Sequence, residues 1–253
     1  MRQKVLFGLI LLLMVPVAPI AAEQPVTVDG SIALHSLMSL SDNHLQKLAD
    51  SLRILAATDA TRSGRWNRLR EPLGELATMN VPAALWFALP DGTYWTVGQG
   101  RVNANISDRP YFARVLGGAT VIGDLVVSRS TGRNTAIVAV PVIGRQGKIA
   151  GVLGASVYLD RLSAIVREEM GQFGSDHMFF AIDAEPLGAL HSDPRLIFTK
   201  PTELGDEAMT NAFKEMLTRE SGVVTYPFRD RQRTMLYEKS PVTRWWYAFG
   251  VLR

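Results

Sequence analysis

Apolar residues recur with two different periodicities along this chain, and the first periodicity is helical. From Ser31 to about Thr61, apolar side chains recur mostly at three- and four-residue steps, which is the spacing of one face of an amphipathic helix. The pattern predicts one long helix that continues through Ser41 and Asp42. A shorter helix is predicted over Trp66–Met79, where Pro72 in its first half can kink or restart it.

Strand patterns replace the helical periodicity after residue 80. The segments ALWFAL and TYWTVG are rich in strand-forming residues and flank Asp91-Gly92, a pair that suits a tight hairpin turn. Three more strand segments come later, ATVIGDLVVS, NTAIVAVPVI and KIAGVLGASVYL, separated by the turn formers STGR and GRQG. Residues 99–107 show neither the helical nor the strand periodicity and are predicted to form an irregular loop.

Two further helices are predicted from their start signals. Pro110 suits the first position of a short helix that ends at a pair of glycines, with Asp108 or Ser107 as its cap. Asp160 is predicted to cap the helix DRLSAIVREEM, which leaves the sheet.

The same order of elements recurs after Gly171 in a shorter form. HMFFAID and PLGAL predict two strands, DEAMTNAFKEML a helix, and GVVTYPFRD, RTMLYEK and WWYAFGVLR three more strands. Strand, strand, helix, strand, strand, strand is therefore present twice. Because links of hairpin length cannot make parallel crossovers, the pattern predicts an α+β fold with antiparallel sheets.

The first 22 residues have the layout of a secretory signal peptide. A short basic start precedes an apolar run over Val5–Val17 and a small-residue exit with cleavage expected near Ala22. The run is shorter than the roughly 20 residues that cross a membrane, so cleavage is favoured over anchoring. We therefore expect a periplasmic or secreted protein.

Charge and cysteine content exclude several classes of function. Without residues 1–22, the chain keeps 25 of its 27 basic residues and all 24 acidic ones, a formal charge of +1. This balance gives no support for binding to nucleic acid or to an anionic membrane surface. Cysteine is absent, which rules out disulfides and thiolate metal sites.

Catalytic and metal motifs are incomplete. VGQGRVN has Asn103 where a dinucleotide loop needs its third glycine, IGRQGKI lacks parts of a phosphate loop, and no serine sits in a nucleophile elbow. Asp183, His191 and Asp193 are near enough in sequence to hold a cation, although a hydrogen-bonded surface group explains them more simply. We expect neither catalysis nor a metal or cofactor.

The order of the segments is similar to that of a known sensor family. The long helix followed by DGTYWT, SDRPYF, VIGDLVVSRSTGR, AIVAVPV and GVLGASVYLDRLS resembles the distal half of a double Cache (dCache) extracytoplasmic sensor domain. AIDAEPLGALHSDPRLI and SGVVTYPFRDRQRTMLYEKSPVTRWWYAFGV resemble its proximal half. The resemblance implies two PAS-like units, each an antiparallel sheet with flanking helices. The long helix and distal unit would occupy residues 31–170, and a smaller proximal unit residues 171–253.

The resemblance also implies a function. In this family the distal pocket usually binds a small metabolite, and the domain usually lies outside a chemoreceptor, kinase or cyclase. Ordinary members continue into a membrane helix and a signalling module, whereas this sequence stops at Arg253. The resemblance therefore implies a stand-alone exported sensor that acts through a separate membrane receptor, kinase or transporter.

Part of the family's ligand motif is present. In the amino-acid-binding branch, an arginine is followed two and three residues later by tryptophan and tyrosine, and here Arg109, Tyr111 and Phe112 occupy those positions. The family's upstream tyrosine corresponds to Ala104, and the aspartate that takes the ligand ammonium falls near Ser128. An organic acid or amino-acid-like ligand without a neighbouring amine is therefore implied.

The residues themselves favour an anion at the same place. Arginine presents a planar fork of donors that matches a carboxylate, and a tyrosine hydroxyl can add to it. Strand-end polar residues are predicted to face that arginine, and aromatic residues of neighbouring strands to form an apolar wall. The candidate ligand-binding residues are Trp86, Tyr94, Arg109, Tyr111, Phe112, Asp124, Ser128, Arg129 and Thr131.

Simpler interpretations of these residues remain open. Arg109 can instead pair with Asp108 or Asp124 and fasten the loop to the sheet. Tyr111 and Phe112 can belong to the core, since aromatic residues at helix starts usually pack inward.

A different function class also remains open. The long helix can mediate contact with a receptor or a homodimer, as such helices do in coiled coils. The chain would then be an interaction or scaffold protein of the cell envelope without a small ligand. Trp245, Trp246 and Tyr247 are predicted as core of the second unit.

Overall fold

The computed structural model describes residues 29–171, 174 and 176–252, so the predicted signal peptide lies outside the described residues. The helices are α1 (Gly30–Ala56), α2 (Asp59–Arg62), α3 (Trp66–Thr78), α4 (Pro110–Leu116), α5 (Leu159–Glu169) and α6 (Glu207–Leu217). The strands are β1 (Ala83–Ala88), β2 (Thr93–Thr96), β3 (Gly100–Asn105), β4 (Val121–Val127), β5 (Asn134–Ile143), β6 (Ile149–Tyr158), β7 (His177–Ile182), β8 (Gly188–His191), β9 (Ser221–Phe228), β10 (Arg231–Lys239) and β11 (Trp246–Leu252).

Two antiparallel sheets carry the fold. The first sheet has the strand order β3-β2-β1-β6-β5-β4, and the second has the order β8-β7-β11-β10-β9. Apart from the extra edge strand β3, the two orders are the same, because in each the last strand of the unit pairs with its first strand. The predicted α+β class, with a long amino-terminal helix and a doubled antiparallel unit, is confirmed.

Helix α1 joins the two sheets. It contacts β4 and β5 of the first sheet and β10 and β11 of the second. Its apolar stripe, including Leu37, Leu45, Leu48 and Leu52, is fully buried in a core that continues into both sheets and α5. The stripe that would have to face a partner in a scaffold is therefore occupied within the chain itself.

Each sheet has a second core on the side away from α1. Helix α4 covers the first sheet with Phe112 and Val115, and helix α6 covers the second sheet with Phe213 and Met216. The two outer cores are thus equivalent layers. Each is formed by one sheet and one helix, and the helix precedes β4 in the first unit and β9 in the second.

A buried polar cluster ties α1 to the turn before β11. The Ser240 hydroxyl donates to the Asp42 carboxylate at 2.6 Å, and the Tyr247 hydroxyl lies 2.9 Å from Oδ1 of Asp42 and 2.9 Å from Oγ of Ser41. Because these groups satisfy one another, α1 continues through Ser41 and Asp42 without a break, as predicted.

The loop predicted over residues 99–107 is wrong for most of its length, because it contains β3. Val102 and Ala104 alternate with exposed polar residues but are only half-buried. This weak alternation hid the strand. Edge position explains the pattern, since β3 pairs with β2 alone.

Several predicted helix boundaries also need correction. The long helix ends at Ala56 rather than near residue 61, because Thr58 starts the separate turn α2 and its hydroxyl accepts from the backbone N–H of Thr61 at 3.3 Å. Arg109, not Asp108 or Ser107, is the residue before α4. Tyr158 precedes α5, while Asp160 lies in its first turn.

The terminal aromatic residues divide between two cores. Trp246 packs in the outer core under α6 as predicted, whereas Trp245 and Tyr247 lie in the core shared with α1. The indole N–H of Trp245 donates to the carbonyl of Gly123 in β4 at 2.8 Å. A single strand end therefore contributes to both layers and links the two sheets.

Candidate functional site

A pocket opens in the outer core of the first sheet, between β1, β2, β5 and the start of α4; we call it the first pocket. Its walls combine apolar groups with arginine, tyrosine and serine side chains. The lining residues are Trp86, Tyr94, Ile106, Arg109, Tyr111, Val126, Val127, Ser128, Arg129, Ser130, Ile137 and Ser156.

Arg109 reaches this pocket because of the proline that follows it. Pro110 is the first residue of α4, and Arg109 before it keeps an extended backbone with φ −79° and ψ 127°. Its guanidinium donates to the carbonyl of Val127 at 3.1 Å. Within the part of the chain that the structure describes, Arg109 forms no ion pair. The remaining donors of its guanidinium are therefore available to an anion.

The carboxylates expected to pair with Arg109 are held by other arginines. Asp108 accepts two hydrogen bonds from Arg129, both at 2.7 Å. Asp124 pairs with Arg114 on the outer side of α4. The predicted alternative in which Arg109 pairs with Asp108 or Asp124 is therefore wrong.

Arg129 lies across the mouth of the pocket. Its guanidinium joins Asp108 and also donates to the backbone carbonyl of Asn105. The side chain is one-third exposed, at 33%, and Asp108 is exposed by 64%. An exposed pair of this kind contributes about 0–1 kcal/mol, so it can open at low cost.

Two tyrosine hydroxyls face the two arginines. Burial raises the pKa of Tyr111 well above its usual value, and it also raises the pKa of Tyr94. The guanidinium charges of Arg109 and Arg129 act in the opposite direction on both groups. Both hydroxyls thus remain protonated donors next to positive charge, which is the environment that suits an anion.

Tryptophan and serine complete the floor of the pocket. The indole N–H of Trp86 donates to Oγ of Ser156 at 3.2 Å, and the rings of Trp86 and Tyr111 lie 6.4 Å apart. Ser128 and Ser130 share a hydrogen bond of 3.2 Å between their hydroxyls at the end of β4.

Three of the nine candidate residues do not line the first pocket. Phe112 is fully buried in the core under α4, and Asp124 faces Arg114. The Thr131 hydroxyl accepts from the backbone N–H of Arg133 at 3.4 Å. The other six candidates, Trp86, Tyr94, Arg109, Tyr111, Ser128 and Arg129, come together at the pocket.

Sequence reasoning did not find several lining residues. Ser156 and Ile137 come from the central strands β6 and β5, so they are recognised only once the strand order is known. Ser130 lies in the quoted segment VIGDLVVSRSTGR, and a third hydroxyl residue beside Ser128 and Thr131 was the available signal. In the structure, its hydroxyl is hydrogen-bonded to Tyr94.

The pocket is small. Its enclosed space is about 20 Å³, room for about one water molecule. Helix α4 has only seven residues, so its amino terminus adds little to anion binding and the side chains must supply it.

The cation site considered for Asp183, His191 and Asp193 is not assembled. Asp183 accepts from the backbone N–H groups of Glu185 and Leu187 at 3.0 and 2.8 Å, and Asp193 pairs with Arg195 at 2.8 Å. Among the described residues, no group of three or more metal-ligating side chains comes together.

Comparisons with known proteins identify the architecture. No protein-family model matches the chain, and no curated protein sequence matches it. Solved structures do. The ligand-binding domain of the Pseudomonas aeruginosa amino acid chemoreceptor PctB, in complex with L-Arg, superimposes with a TM-score of 0.70 at 16% identity, covering 88% of this chain and 93% of that chain.

Two further structures agree with this match. The extracellular domain of rpHK1S-Z16, assigned as a histidine kinase, has a TM-score of 0.70 at 18% identity and covers 87% of this chain and 91% of that chain. The ligand-binding domain of the P. aeruginosa chemoreceptor PctC with GABA has a TM-score of 0.62 at 14% identity and covers 88% of this chain and 95% of that chain. The chain has the double Cache fold.

Within this double Cache fold, the first pocket lies in the first of the two sheet units. Across residues 29–171, 174 and 176–252, none of the helices combines the length and the apolar character needed to cross a bilayer.

Proposed function

We propose that this chain is an exported sensor-type protein that binds a small carboxylate in the first pocket and acts through a separate partner. The ligand class is an organic acid or an amino-acid-like acid. This proposal favours binding over catalysis, because the described residues of the pocket present donors and positive charge without a paired base and nucleophile.

One observation carries the proposal. Arg109 enters a pocket that combines apolar groups with tyrosine and serine side chains, and in the described part of the chain its guanidinium has only a backbone carbonyl as hydrogen-bond partner. An arginine beside two buried tyrosine hydroxyls and without a carboxylate is complementary to a carboxylate from outside the chain. The fold supports this use, since PctB and PctC were solved as ligand-binding domains with L-Arg and GABA.

The charge around the pocket favours an acid over an amine. Arg109 and Arg129 bring two positive charges, and among the described residues Asp108 is the single carboxylate joined to them. An incoming carboxylate can replace Asp108 on Arg129 while it also binds Arg109. A positively charged amine would be repelled by both guanidinium groups.

Export and the partner follow from different observations. The predicted signal peptide supports a location outside the cytoplasm. The similar structures belong to chemoreceptors and to a protein assigned as a histidine kinase, which supports a membrane receptor or kinase as partner.

A thermal-shift screen tests the proposal. The purified chain is melted with a panel of small organic acids, amino acids and amines, and acids are expected to raise Tm by mass action while amines leave it unchanged. The best acid is then titrated by calorimetry into the wild type, Arg109→Gln and Arg101→Gln. Arg101 is an exposed residue of β3, so it controls for the loss of one charge.

Arg109→Gln should weaken binding of that acid at least about tenfold, because a charged hydrogen bond is lost. Arg101→Gln should stay within about twofold of the wild type. Equal affinities for all three proteins would contradict the assignment of the site, and a panel in which no acid raises Tm would contradict the function.

A further inference from the structure

A short arginine-rich segment joins α2 to α3, and it takes no part in the first pocket. Residues 60–70 contain four arginines, Arg62, Arg65, Arg68 and Arg70, and no acidic residue. All four are exposed, and none of their side chains forms an ion pair or a hydrogen bond with a described residue. Four guanidinium groups on this part of the surface are therefore available to an anion.

Trp66 lies within this segment and ends a stack of aromatic rings. Its ring centroid is 6.5 Å from that of Trp95 in β2, with an interplanar angle of 20°. The Trp95 ring is in turn 6.5 Å from that of Phe87 in β1, at an angle of 26°. Phe87 is fully buried, whereas both tryptophans are partly exposed. The stack therefore runs from the core to the surface, and packing against the core fixes its two outer rings.

The two outer indoles present their N–H groups to solvent. The indole N–H groups of Trp86, Trp245 and Trp246 donate to acceptors within the chain, as buried indoles usually do. Those of Trp66 and Trp95 have no acceptor among the described residues, and neither nitrogen is buried. Both N–H groups can therefore donate to a ligand.

The acidic residues of α3 lie on a different side of the helix from Trp66. At about 100° per residue, Arg70 is about 40° around the helix from Trp66, whereas Glu71 and Glu75 are about 140° and 180° from it. Arg65 directly precedes Trp66 at the start of the helix. The side of α3 that carries Trp66 therefore combines aromatic surface with positive charge.

We call Trp66, Trp95, Arg65 and Arg70 the tryptophan–arginine surface. It lies on the face of the first sheet opposite to the first pocket. Tyr94 lines that pocket, whereas the next residue of β2, Trp95, packs on the α1 side, because successive side chains of a strand point to opposite faces. A ligand on this surface would therefore not enter the first pocket.

We propose that the tryptophan–arginine surface binds an acidic polysaccharide whose sugar rings carry carboxylates. The C–H face of a sugar ring suits the partly exposed indole rings, and its hydroxyl groups accept from the indole N–H groups. Its carboxylates pair with the guanidinium groups of the arginines. Arginine-rich surface segments are typical of sites for polyanions such as heparin or nucleic acid. The predicted signal peptide favours the polysaccharide, since an exported protein meets glycans rather than nucleic acid.

Hexagalacturonate, a six-sugar acid, is the probe for this surface. The purified chain is titrated by calorimetry at pH 7 with hexagalacturonate, with neutral maltohexaose and with a six-nucleotide oligothymidylate at the same ionic strength. Hexagalacturonate should bind at least about tenfold more tightly than either control, and added salt should weaken its binding. Absent binding of hexagalacturonate, or equal or tighter binding of either control, would overturn the proposal.

Variants of Trp66 locate the polysaccharide. Trp66→Leu keeps an apolar side chain against the core but removes the ring face and the indole donor. It should weaken binding of hexagalacturonate at least about tenfold. Trp66→Phe keeps a ring face, so its affinity should lie between those of Trp66→Leu and the wild type. A Trp66→Leu chain that binds as tightly as the wild type would contradict the assignment.

A pair of arginine substitutions gives a second test that does not disturb packing. The double variant Arg65→Gln with Arg70→Gln should weaken binding of hexagalacturonate at least about tenfold, because two charged contacts are lost. Arg161→Gln with Arg231→Gln is the matched control, since both arginines are exposed and lie on α5 and β10. The control should stay within about twofold of the wild type. Equal losses in the two double variants would mean that net charge alone attracts the polysaccharide, and would overturn the proposal.

The first pocket is distinguished in the same titrations. The polysaccharide proposal depends on the predicted export but not on the ligand proposed for Arg109. If Arg109→Gln abolishes binding of hexagalacturonate and Trp66→Leu leaves it intact, a sugar acid binds in the first pocket. That outcome supports the proposed function and overturns the tryptophan–arginine surface. The two proposals can fail independently, because Arg109 and Trp66 lie on opposite faces of the first sheet.

Discussion

At the scale of single residues, neighbouring arginines around the first pocket have different roles. Arg109 follows a loop and precedes a proline, which holds its backbone extended and directs its side chain to the end of β4. Arg129 comes from that strand end and holds Asp108 across the opening. One guanidinium is therefore available to a ligand, and the other is occupied by the chain's own carboxylate.

The occupied arginine leads to a prediction on affinity. Asp108→Asn removes the charge that retains Arg129, so Arg129 becomes free to join Arg109 on the ligand. The best acid of the thermal-shift panel should bind about two- to fivefold more tightly, which corresponds to the roughly 0.5–1 kcal/mol of an exposed ion pair. Calorimetry measures this change. Weaker binding would mean that Asp108 itself contacts the ligand, contrary to this account.

Asp42 provides a test of pH dependence. Burial raises the pKa of its carboxyl, although hydroxyl groups of Ser240, Tyr247 and Thr243 act in the opposite direction. The folded state therefore binds this proton more tightly than the unfolded chain, in which the pKa of the Asp42 carboxyl is near 3.8. The stability that protonated Asp42 contributes is lost as the pH rises from that value through the raised folded pKa.

Asp42→Asn should remove this dependence. Urea unfolding of wild type and variant is compared at several pH values from 4 upward, and the stability of the variant relative to the wild type should increase with pH. A constant difference between the two proteins across this range would show that the carboxyl is not perturbed.

At the scale of elements, a bulge in β4 links the two sheets. Gly123 has φ 98° at the register shift between Ile122 and Asp124, and its carbonyl accepts from the indole of Trp245. A methyl group added to Gly123 would lie 3.1 Å from Cβ of Thr243. Both the backbone angle and the close approach therefore require glycine here.

Gly123→Ala is expected to destabilise the chain more than Gly118→Ala. Gly118 has a similar φ of 94°, but a methyl group there would meet no atom within 4 Å. The free energy of unfolding should fall by about 1–2 kcal/mol in both variants because of the backbone angle. In Gly123→Ala it should fall by about 1–3 kcal/mol more because of overpacking. Urea unfolding measures both values. Equal losses would mean that Thr243 and Trp245 move aside freely.

The elements were largely predictable, and the failures have physical causes. The long helix and the strands of both units follow from strong periodicity, because each buries a whole face. Strand β3 was missed because an edge strand with half-buried residues alternates weakly. The pairing of Arg129 with Asp108 and the place of Ser156 in the pocket depend on strand order, which local patterns do not contain.

At the scale of the whole molecule, α1 forms a common support for two similar units. Each sheet packs one face toward this helix and buries the other under α4 or α6, and each outer layer contains one small pocket with an arginine. The apolar stripe of α1 is used inside the chain. Ile32 and Ile54, exposed by 59% and 74%, are the large apolar residues that it leaves at the surface.

The central claim, that the first pocket receives a carboxylate on Arg109, is tested most directly by a crystal structure of the chain grown with the most stabilising acid of the panel. We expect the ligand carboxylate within hydrogen-bond distance of the Arg109 guanidinium and the Tyr111 hydroxyl, with Arg129 released from Asp108. An acid bound elsewhere, with Arg129 still on Asp108 and the first pocket closed, would contradict the account.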